Sequence, residues 1–348
     1  MPLDERYWRA VVRGDREGLA ADLLRGALRG LSVPYGAAMT LRRALFARRF
    51  RPARDAGVPV IAVGNITVGG TGKTPLVGWI AAHLKGLGRR PAILTRGYKA
   101  VGGVSDEATL LQRATGVPVV VNPDRVAGAA MAVADGADVL IMDDGFQHLR
   151  LRRDLNLVTL DALCPFGYDA VVPRGLLREP LAALRDADAF IITRCDQVGG
   201  CAVGAIRDRL EALGCDQPVL TSAMRPVGVE TLDGRSEPLE GLADRGVWAF
   251  CGLGHPEAFF AMVEPLVRRV LGREVFNDHH AYSEEEIRLL QRDAYRAGAD
   301  ILLTTGKDAV KLAPPGAGVP LRWLRIDVDL GDDSTALGDL IAGAVTGD

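Results

Sequence analysis

The residues of this chain best suited to chemistry stand close together: Gly69, Gly70 and Gly72, then Lys73 and Thr74. Backbone N–H groups can wrap a polyphosphate only where no Cβ blocks the approach, and glycines at 69, 70 and 72 leave that approach open. A lysine directly after them is placed to meet the β- and γ-phosphates of a nucleoside triphosphate. The hydroxyl that follows, Thr74, is placed to ligate Mg²⁺. The pattern G-x-x-x-x-G-K-[ST] would put a further glycine at position 67, where this chain has Thr67. A glycine-rich turn with no ligand is the other reading of the stretch. The second group of interest is Asp143-Asp144-Gly145-Phe146-Gln147-His148. Two carboxylates at the end of an apolar run need a counter-charge, and beside a phosphate loop that charge is usually Mg²⁺. Asp-Gly is also a turn dipeptide, so a solvated turn is the alternative.

These groups need rigid supports, and the flanking pattern supplies them. Val58, Val60, Ile61 and Val63 form a near-continuous β-branched run, as in a strand covered on both faces of a parallel sheet. After Pro75, the residues Leu76, Ile80, Leu84 and Leu87 recur at helical spacing, with proline in the first turn where its missing N–H costs nothing. Further strands are expected at Pro91–Thr95, Val117–Val121, Asp138–Met142, Leu155–Leu160, Asp188–Thr193 and Pro218–Thr221, alternating with helices. Asn122-Pro123 is read as the cap of the helix through Met131, and Ser105 as the cap of a helix that follows a mobile loop, Val101–Val104. A second α/β unit has strand Val247–Cys251, helix Pro256–Leu271, a Ser283-x-x-Glu286 capping box, strand Ile301–Thr305 and a last strand Leu321–Val328. The fold class predicted is α/β: a P-loop NTPase-type, mostly parallel sheet with helices on both faces, plus a smaller α/β C-terminal domain. The division expected is a basic amphipathic helical segment at 1–54, a P-loop kinase core at 55–224, an extended linker or two-stranded ribbon at 225–242, and a smaller domain at 243–348 closing the cleft.

A chain of 348 residues, 48% hydrophobic and 25% charged, is globular and too long for one ordinary core. A formal charge of −2 gives no bulk attraction to nucleic acid. Five cysteines without C-x-x-C spacing argue against a disulfide framework and fit a reducing cytoplasm. The sequence contains no signal-peptide pattern and no apolar run of about 18 residues. Within residues 19–54, Leu19, Leu23, Leu24, Leu28 and Leu31 share a helical face. Val33-Pro34-Tyr35 is read as a break, and Met39, Leu41, Leu45 and Phe46 follow among Arg42, Arg43, Arg48, Arg49, Arg51 and Arg54. That composition suits either a helix on an anionic membrane surface or two helices packed against the protein's own core.

Taken together, Val63–Pro75, Arg96-Gly97-Tyr98, Asp106-Glu107, Asp143–His148, Arg178-Glu179, Gly252–Pro256, Asp278-His279 and Lys307–Lys311 resemble the tetraacyldisaccharide 4′-kinases of lipid A biosynthesis. They occur in that family's order across most of the chain, and Thr67 is itself a family feature. The resemblance implies transfer of a phosphoryl group from Mg-ATP to the 4′-hydroxyl of a lipid-linked glucosamine disaccharide, giving lipid IVA, at the cytoplasmic face of the bacterial inner membrane. It also implies Asp106 as catalytic base with His279 as partner, Asp143, Asp144 and Glu179 beside the metal, and Arg178 on phosphate. The nucleotide contacts would come from Thr67, Val68, Gly69, Gly70, Thr71, Gly72, Lys73 and Thr74. Two motifs depart from the family: Ser105-Asp-Glu-Ala108 stands for Gly-Asp-Glu-Pro, and Gly306 replaces the Glu of Thr-Glu-Lys-Asp.

The residues support the same chemistry independently. Phosphoryl transfer asks a protein mainly to position reactants and neutralise phosphoryl oxygens, and a carboxylate such as Asp106 could accept the sugar hydroxyl's proton. Acidic residues at 106 and 107 could equally serve a helix dipole. His279 and His280 are adjacent, so their side chains diverge and suit a shared metal poorly; His280 is read as structural. Lys307 and Lys311 suit a solvated helix start or a contact with the substrate's 1-phosphate. A nucleotide-driven switch protein would read guanine through Asn-Lys-x-Asp, a tetrapeptide the sequence lacks. A soluble small-metabolite kinase would need no amphipathic N-terminus.

Overall fold

The computed structural model describes residues 5–48, 50, 52–97, 106–254, 256–277, 280–313 and 318–346, excepting the side chains of Glu5, Arg6, Arg9, Asp106 and Glu107. Tyr98, the Val101–Val104 loop, the Ser105 cap, Asp278 and His279 therefore lie outside the described residues.

Helices α1 (Glu5–Arg13) and α2 (Leu19–Ala47) lead into β1 (Val60–Asn65). The chain then alternates through α3 (Lys73–Gly86), β2 (Pro91–Thr95), α4 (Asp106–Thr115), β3 (Val119–Val121), α5 (Arg125–Ala134) and β4 (Val139–Asp143). β5 (Leu155–Asp161), β6 (Ala189–Thr193), α6 (Gly200–Ala212) and β7 (Val219–Thr221) complete a seven-stranded sheet in the order β3-β2-β4-β1-β5-β6-β7. Every pairing in it is parallel. Its strands alternate in what they cover. Ile61, Val63, Ile93, Ile141 and Leu157 face Leu76, Ile80 and Leu84 of α3, whereas Val60, Ala62, Leu94, Leu140 and Met142 face Ala129 and Ala132 of α5. Burial on both sides is why the β1 run reads as continuously apolar.

The second sheet holds β8 (Ala223–Thr231), β9 (Ser236–Glu237), β10 (Gly246–Cys251), β11 (Arg269–Val275), β12 (Ile301–Thr305) and β13 (Leu321–Asp329), in the order β11-β10-β12-β13-β8-β9. Helices α7 (Pro256–Val263), α8 (Glu284–Arg296), α9 (Gly306–Ala309) and α10 (Asp333–Thr346) complete the chain. The predicted capping box is present, with the Glu286 N–H donating to Ser283 Oγ at 3.2 Å and the Ser283 N–H to Glu286 Oε2 at 2.8 Å.

Several expectations are corrected. Of the two forms expected for 225–242, the linker is replaced by the two-stranded ribbon: β8 pairs antiparallel with β9, and β8 also pairs with β13, so the ribbon is built into one side of the second sheet. Residues 243–348 do not stay together either, because α10 returns to the first sheet and buries Leu337 and Ile341 in the α3 core. Its start is fixed by Asp333 Oδ2, which accepts from Thr221 N and Oγ1, both at 2.7 Å. The helix placed over Pro256–Leu271 stops at Val263, ahead of Pro265, and the alternating residues from Arg269 form β11. Asp124 caps α5, two positions after Asn122, and its side chain accepts from Val126 N at 3.0 Å.

Pro34 does not end the N-terminal helix, since α2 runs through it. Contacts on either side hold it: Ser32 Oγ donates to Val171 O at 2.9 Å and Tyr35 Oη to Arg178 O at 2.8 Å. The leucines divide accordingly. Leu28 is buried against the protein, whereas Leu19, Leu23, Leu31, Val33 and Leu41 face outward.

Candidate active site

Ligands collect beyond the carboxyl ends of parallel strands, and here that edge brings together the ends of β1 and β4. Val63 pairs with Asp143, and the turn after β4 folds onto β1 so closely that a Cβ on Gly64 would lie 2.5 Å from Phe146 N. Asp144 takes a left-handed conformation, φ 52°, which short polar side chains tolerate.

Between β1 and α3 runs the glycine loop. Gly69 and Gly72 both have positive φ, 121° and 75°, and a Cβ on Gly72 would sit 2.3 Å from Met224 Cε at the start of β8. Gly70 meets nothing within 4 Å, leaving one open side. Thr67 explains its own departure from the general pattern. It forms an isolated bridge with Leu177, while Val68 N donates to Leu176 O and Arg178 N to Ile66 O, both at 2.7 Å. The loop thus begins as extended chain against the 176–178 segment, a conformation that needs no glycine.

Lys73 ends inside a ring of polar contacts. Its Nζ donates to Asn65 Oδ1 at 2.8 Å and lies 3.3 Å from Asp144 Oδ1. Arg178 Nη1 donates to Asp144 Oδ2 at 2.7 Å and to Gln147 Oε1 at 3.4 Å. Gln147 Nε2 closes the ring by donating to Asn65 O at 2.9 Å. Burial disfavours the charged form of Asp144, but Lys73 and Arg178 outweigh it and hold its carboxyl below the usual range. Asp144 is therefore an anion at neutral pH, set between the lysine and an arginine. Asp143 is buried beside it, and Arg125, also buried, donates from Nη2 to the Asp143 carbonyl at 3.1 Å. His148, after the same turn, is kept neutral by burial and by Arg125, Arg150 and Arg42, which push its pKa down to about 4.

The loop's outer flank is held from β5 and β6. Thr71 Oγ1 and Thr159 Oγ1 are 2.7 Å apart, Thr193 Oγ1 donates to Thr71 O at 2.9 Å, and Arg194 Nη2 donates to Gly70 O at 2.8 Å. The other guanidinium arm of Arg194 pairs with Asp161. Arg194 has φ 59° and ψ 34°, a left-handed conformation costing about 1–2 kcal/mol for a side chain of its kind.

The residues expected at the site separate under this geometry. Lys73, Asp144 and Arg178 converge, and Asp143 stands next to them. Glu179, expected beside the metal, has different company. It is fully buried, and its Oε2 accepts from Arg43 Nη2 at 2.6 Å and Nε at 3.1 Å. Arg42 Nη1 lies 3.6 Å from its other oxygen. This carboxylate ties α2 to the site, so a metal there would have to displace Arg43. Asp106 opens α4, whose Leu110 packs by Gly306, the first residue of α9; its side chain, like the whole of His279, lies outside the described residues. His280 contacts Glu286 at 3.0 Å and the rings of Phe276 and Tyr282, a structural setting. Lys311 Nζ lies 3.6 Å from the buried Asp308. The Gly306 departure also has a physical basis: a Cβ there would sit 3.0 Å from the Trp323 ring and 3.1 Å from Leu110.

Asn65, Gln147, Arg125 and Arg194 received no role from sequence, and Arg43 was read only as one of the basic residues of the 19–54 stretch. Asn65 carried a usable signal, being a polar residue that ends a wholly buried strand directly before the glycine loop. For Mg²⁺, the candidate donors are the Thr74 hydroxyl and the Asp143 and Asp144 carboxylates, the latter shared with Lys73 and Arg178. These are hard oxygens, and they suit an ion that takes one or two carboxylates and completes its shell with phosphate and water. Among the described residues no group of three or more His, Cys, Asp or Glu converges as an all-protein cage would require.

Comparison with known proteins gives a consistent result. The family LpxK, tetraacyldisaccharide-1-P 4'-kinase, matches residues 24–346. Curated proteins named tetraacyldisaccharide 4'-kinase are similar throughout. One from Anaeromyxobacter sp. (strain Fw109-5) is 40% identical, covering 97% of this chain and 95% of its own. One from Geobacter sulfurreducens is 38% identical, covering 88% and 90%. A solved structure of LpxK from Aquifex aeolicus, described as an "apo" form in complex with ATP, superposes with a TM-score of 0.74 at 30% identity, over 92% of this chain and 99% of that one.

Proposed function

Because this chain belongs to the tetraacyldisaccharide-1-P 4'-kinase family, we propose that it transfers the γ-phosphate of ATP to the 4′-hydroxyl of a tetraacyldisaccharide 1-phosphate, giving lipid IVA. The observation that carries the reading is the closed ring Lys73–Asp144–Arg178–Gln147–Asn65 at the carboxyl ends of β1 and β4. It holds one ammonium and one guanidinium where the terminal phosphates of a nucleotide in the 67–74 loop would lie. Lys73 and Arg178 neutralise those oxygens, and Asn65 and Asp144 keep the lysine aimed before substrate arrives. Mg²⁺, held by Thr74 and Asp143 with Asp144 adjacent, would supply further charge neutralisation at the β- and γ-phosphates. Asp144 is acidified by two cations and makes a poor proton acceptor, so the base role falls to Asp106 with His279 as its partner. The contact of α4 with α9, which follows β12, supports this reading, in which the second sheet would close the cleft over the acceptor sugar.

The acceptor is lipid-linked, and α2 carries an outward apolar stripe suited to its surroundings. Leu19, Leu23, Leu31, Val33 and Leu41 are each more than 60% exposed. No helix among the described residues is long and apolar enough to cross a membrane. We assign this stripe to peripheral binding at the cytoplasmic face of the inner membrane. Arg42 and Arg43 are taken up internally by Glu179, Asp186 and Gln147 O, so the apolar stripe carries more of the attachment than the arginine count suggests. Incubation with labelled ATP and either the lipid disaccharide 1-phosphate or simple sugars tests the reading. Label should pass to the lipid alone; transfer to free sugars, or hydrolysis with no transfer, would point to a small-metabolite kinase or a switch protein.

A further inference from the structure

Arg194 and Thr193 are used by neither the phosphate chemistry nor the acceptor site, yet they hold two successive carbonyls of the glycine loop. Arg194 Nη2 donates to Gly70 O at 2.8 Å, and Thr193 Oγ1 donates to Thr71 O at 2.9 Å. In a trans peptide the C=O and the following N–H point in opposite directions. With the Gly70 carbonyl turned to Arg194, the Thr71 N–H faces away from β6; with the Thr71 carbonyl turned to Thr193, the Gly72 N–H does the same. Among the described residues neither N–H has a protein acceptor. These are the amides a phosphate would need, and a Gly-Gly-Thr-Gly backbone has little intrinsic preference for this orientation over a flipped one.

We propose that Arg194 and Thr193 are positioning residues that orient the Gly70–Thr71 and Thr71–Gly72 peptides, so that their N–H groups form the nest for the nucleotide's phosphates before it binds. Arg194 is itself braced. Its second arm is paired with Asp161 at the end of β5, both side chains are largely buried, and its backbone is held in the left-handed region, which is strained for a residue with a Cβ. The guanidinium fork suits the task because one arm can be anchored while the other donates. The inference rests on the reading of residues 67–74 as the phosphate loop, and the test separates the two.

Steady-state rates are measured with the lipid disaccharide saturating and ATP varied, alongside titration with a fluorescent ATP analogue. Arg194→Ala should raise the ATP KM and the analogue's Kd about tenfold, the factor for one charge-assisted hydrogen bond, with kcat within about threefold of the parent. Arg194→Lys keeps a donor for the Gly70 carbonyl and should recover most of the loss. Thr193→Val, which removes one hydroxyl at nearly constant volume, should weaken binding roughly fivefold and carries the test if Arg194→Ala does not fold. Lys73→Ala is the control. If it too leaves nucleotide binding intact, the phosphate-loop reading fails. If it abolishes binding while Arg194→Ala and Thr193→Val change KM less than twofold, the orienting role is overturned. Equal losses in kcat and thermal stability with no recovery by lysine would also overturn it, assigning Arg194 to fold stability alone.

Discussion

Replacing Arg43 by methionine is the perturbation that most directly tests how α2 is joined to the site. Glu179 has no exposure to solvent, and Arg43 is its closest cation, with 12% of its side chain exposed. Removing the cation leaves a carboxylate buried with only the longer Arg42 contact, and breaking a buried pair from one side costs about 3–5 kcal/mol. Removing the anion instead is milder. In Glu179→Gln, Arg43 keeps Asp186 and the Phe146 ring, 4.6 Å below its guanidinium carbon, so the cost is about 1–3 kcal/mol. With a urea m-value near 3 kcal/mol/M, Arg43→Met should lower the unfolding midpoint by roughly 1–1.7 M and Glu179→Gln by about half that. The double variant Arg43→Met with Glu179→Leu, which leaves no orphan charge, should return to within about 1 kcal/mol of the parent. Midpoints followed by circular dichroism, together with trypsin cleavage in the 14–18 segment, report both global stability and release of α2. Unchanged stability in Arg43→Met, with Glu179→Gln instead raising the Mg²⁺ concentration needed for turnover, would refute this account and return Glu179 to the metal.

Other consequences are equally measurable. Lys73→Ala should lower kcat/KM by about 10²–10³ or more and abolish saturable nucleotide binding in an analogue titration. Gly64→Ala should destabilise by more than about 2 kcal/mol, because its Cβ would collide with the Phe146 backbone. Gly70→Ala meets open space, so it should leave the urea midpoint unchanged while weakening ATP binding. The folded pKa of His148, about 4, lies below its unfolded value of about 6.5, so the unfolded chain binds the extra proton. Its contribution to stability is therefore intact above pH 6.5 and lost as pH falls toward 4, and His148→Asn should flatten the fall in urea midpoint between pH 7 and pH 5. Leu23→Glu with Leu31→Glu should reduce sedimentation with anionic vesicles without shifting the midpoint, since both side chains already face water.

Most of the first sheet was legible because strands buried on both faces have a distinctive run of β-branched residues, and the glycine loop announces itself through residues that no other task requires together. The paired aspartates were legible for a related reason, since charge at the end of a core strand demands a partner. What escaped were features fixed by distant contacts. Pro34 reads as a helix end by local preference and is overridden by Ser32 and Tyr35 bonding to the 171–178 segment. β11 lies at a sheet edge and four of its seven residues are exposed, while β8 sits between β13 and the two-residue edge strand β9 with fewer than half of its positions buried, so in both the apolar signal is diluted. Arg43 and Arg194 could not be told from other arginines by type, because their importance lies in which carbonyl or carboxylate the fold brings to them.

The course of the backbone between the two sheets has a consequence for assembly. One residue, Ser222, separates β7 from β8, and the last helix crosses back only after β13. The second sheet is thus an excursion inside the first, and the cluster around Leu76, Ile80 and Leu84 is completed by Leu337 and Ile341 only after the chain has returned from it. The nucleotide half is complete only once α10 is in place. A fragment ending at Thr221 should therefore aggregate, and supplying Asp333–Thr346 on a short tether should restore its solubility.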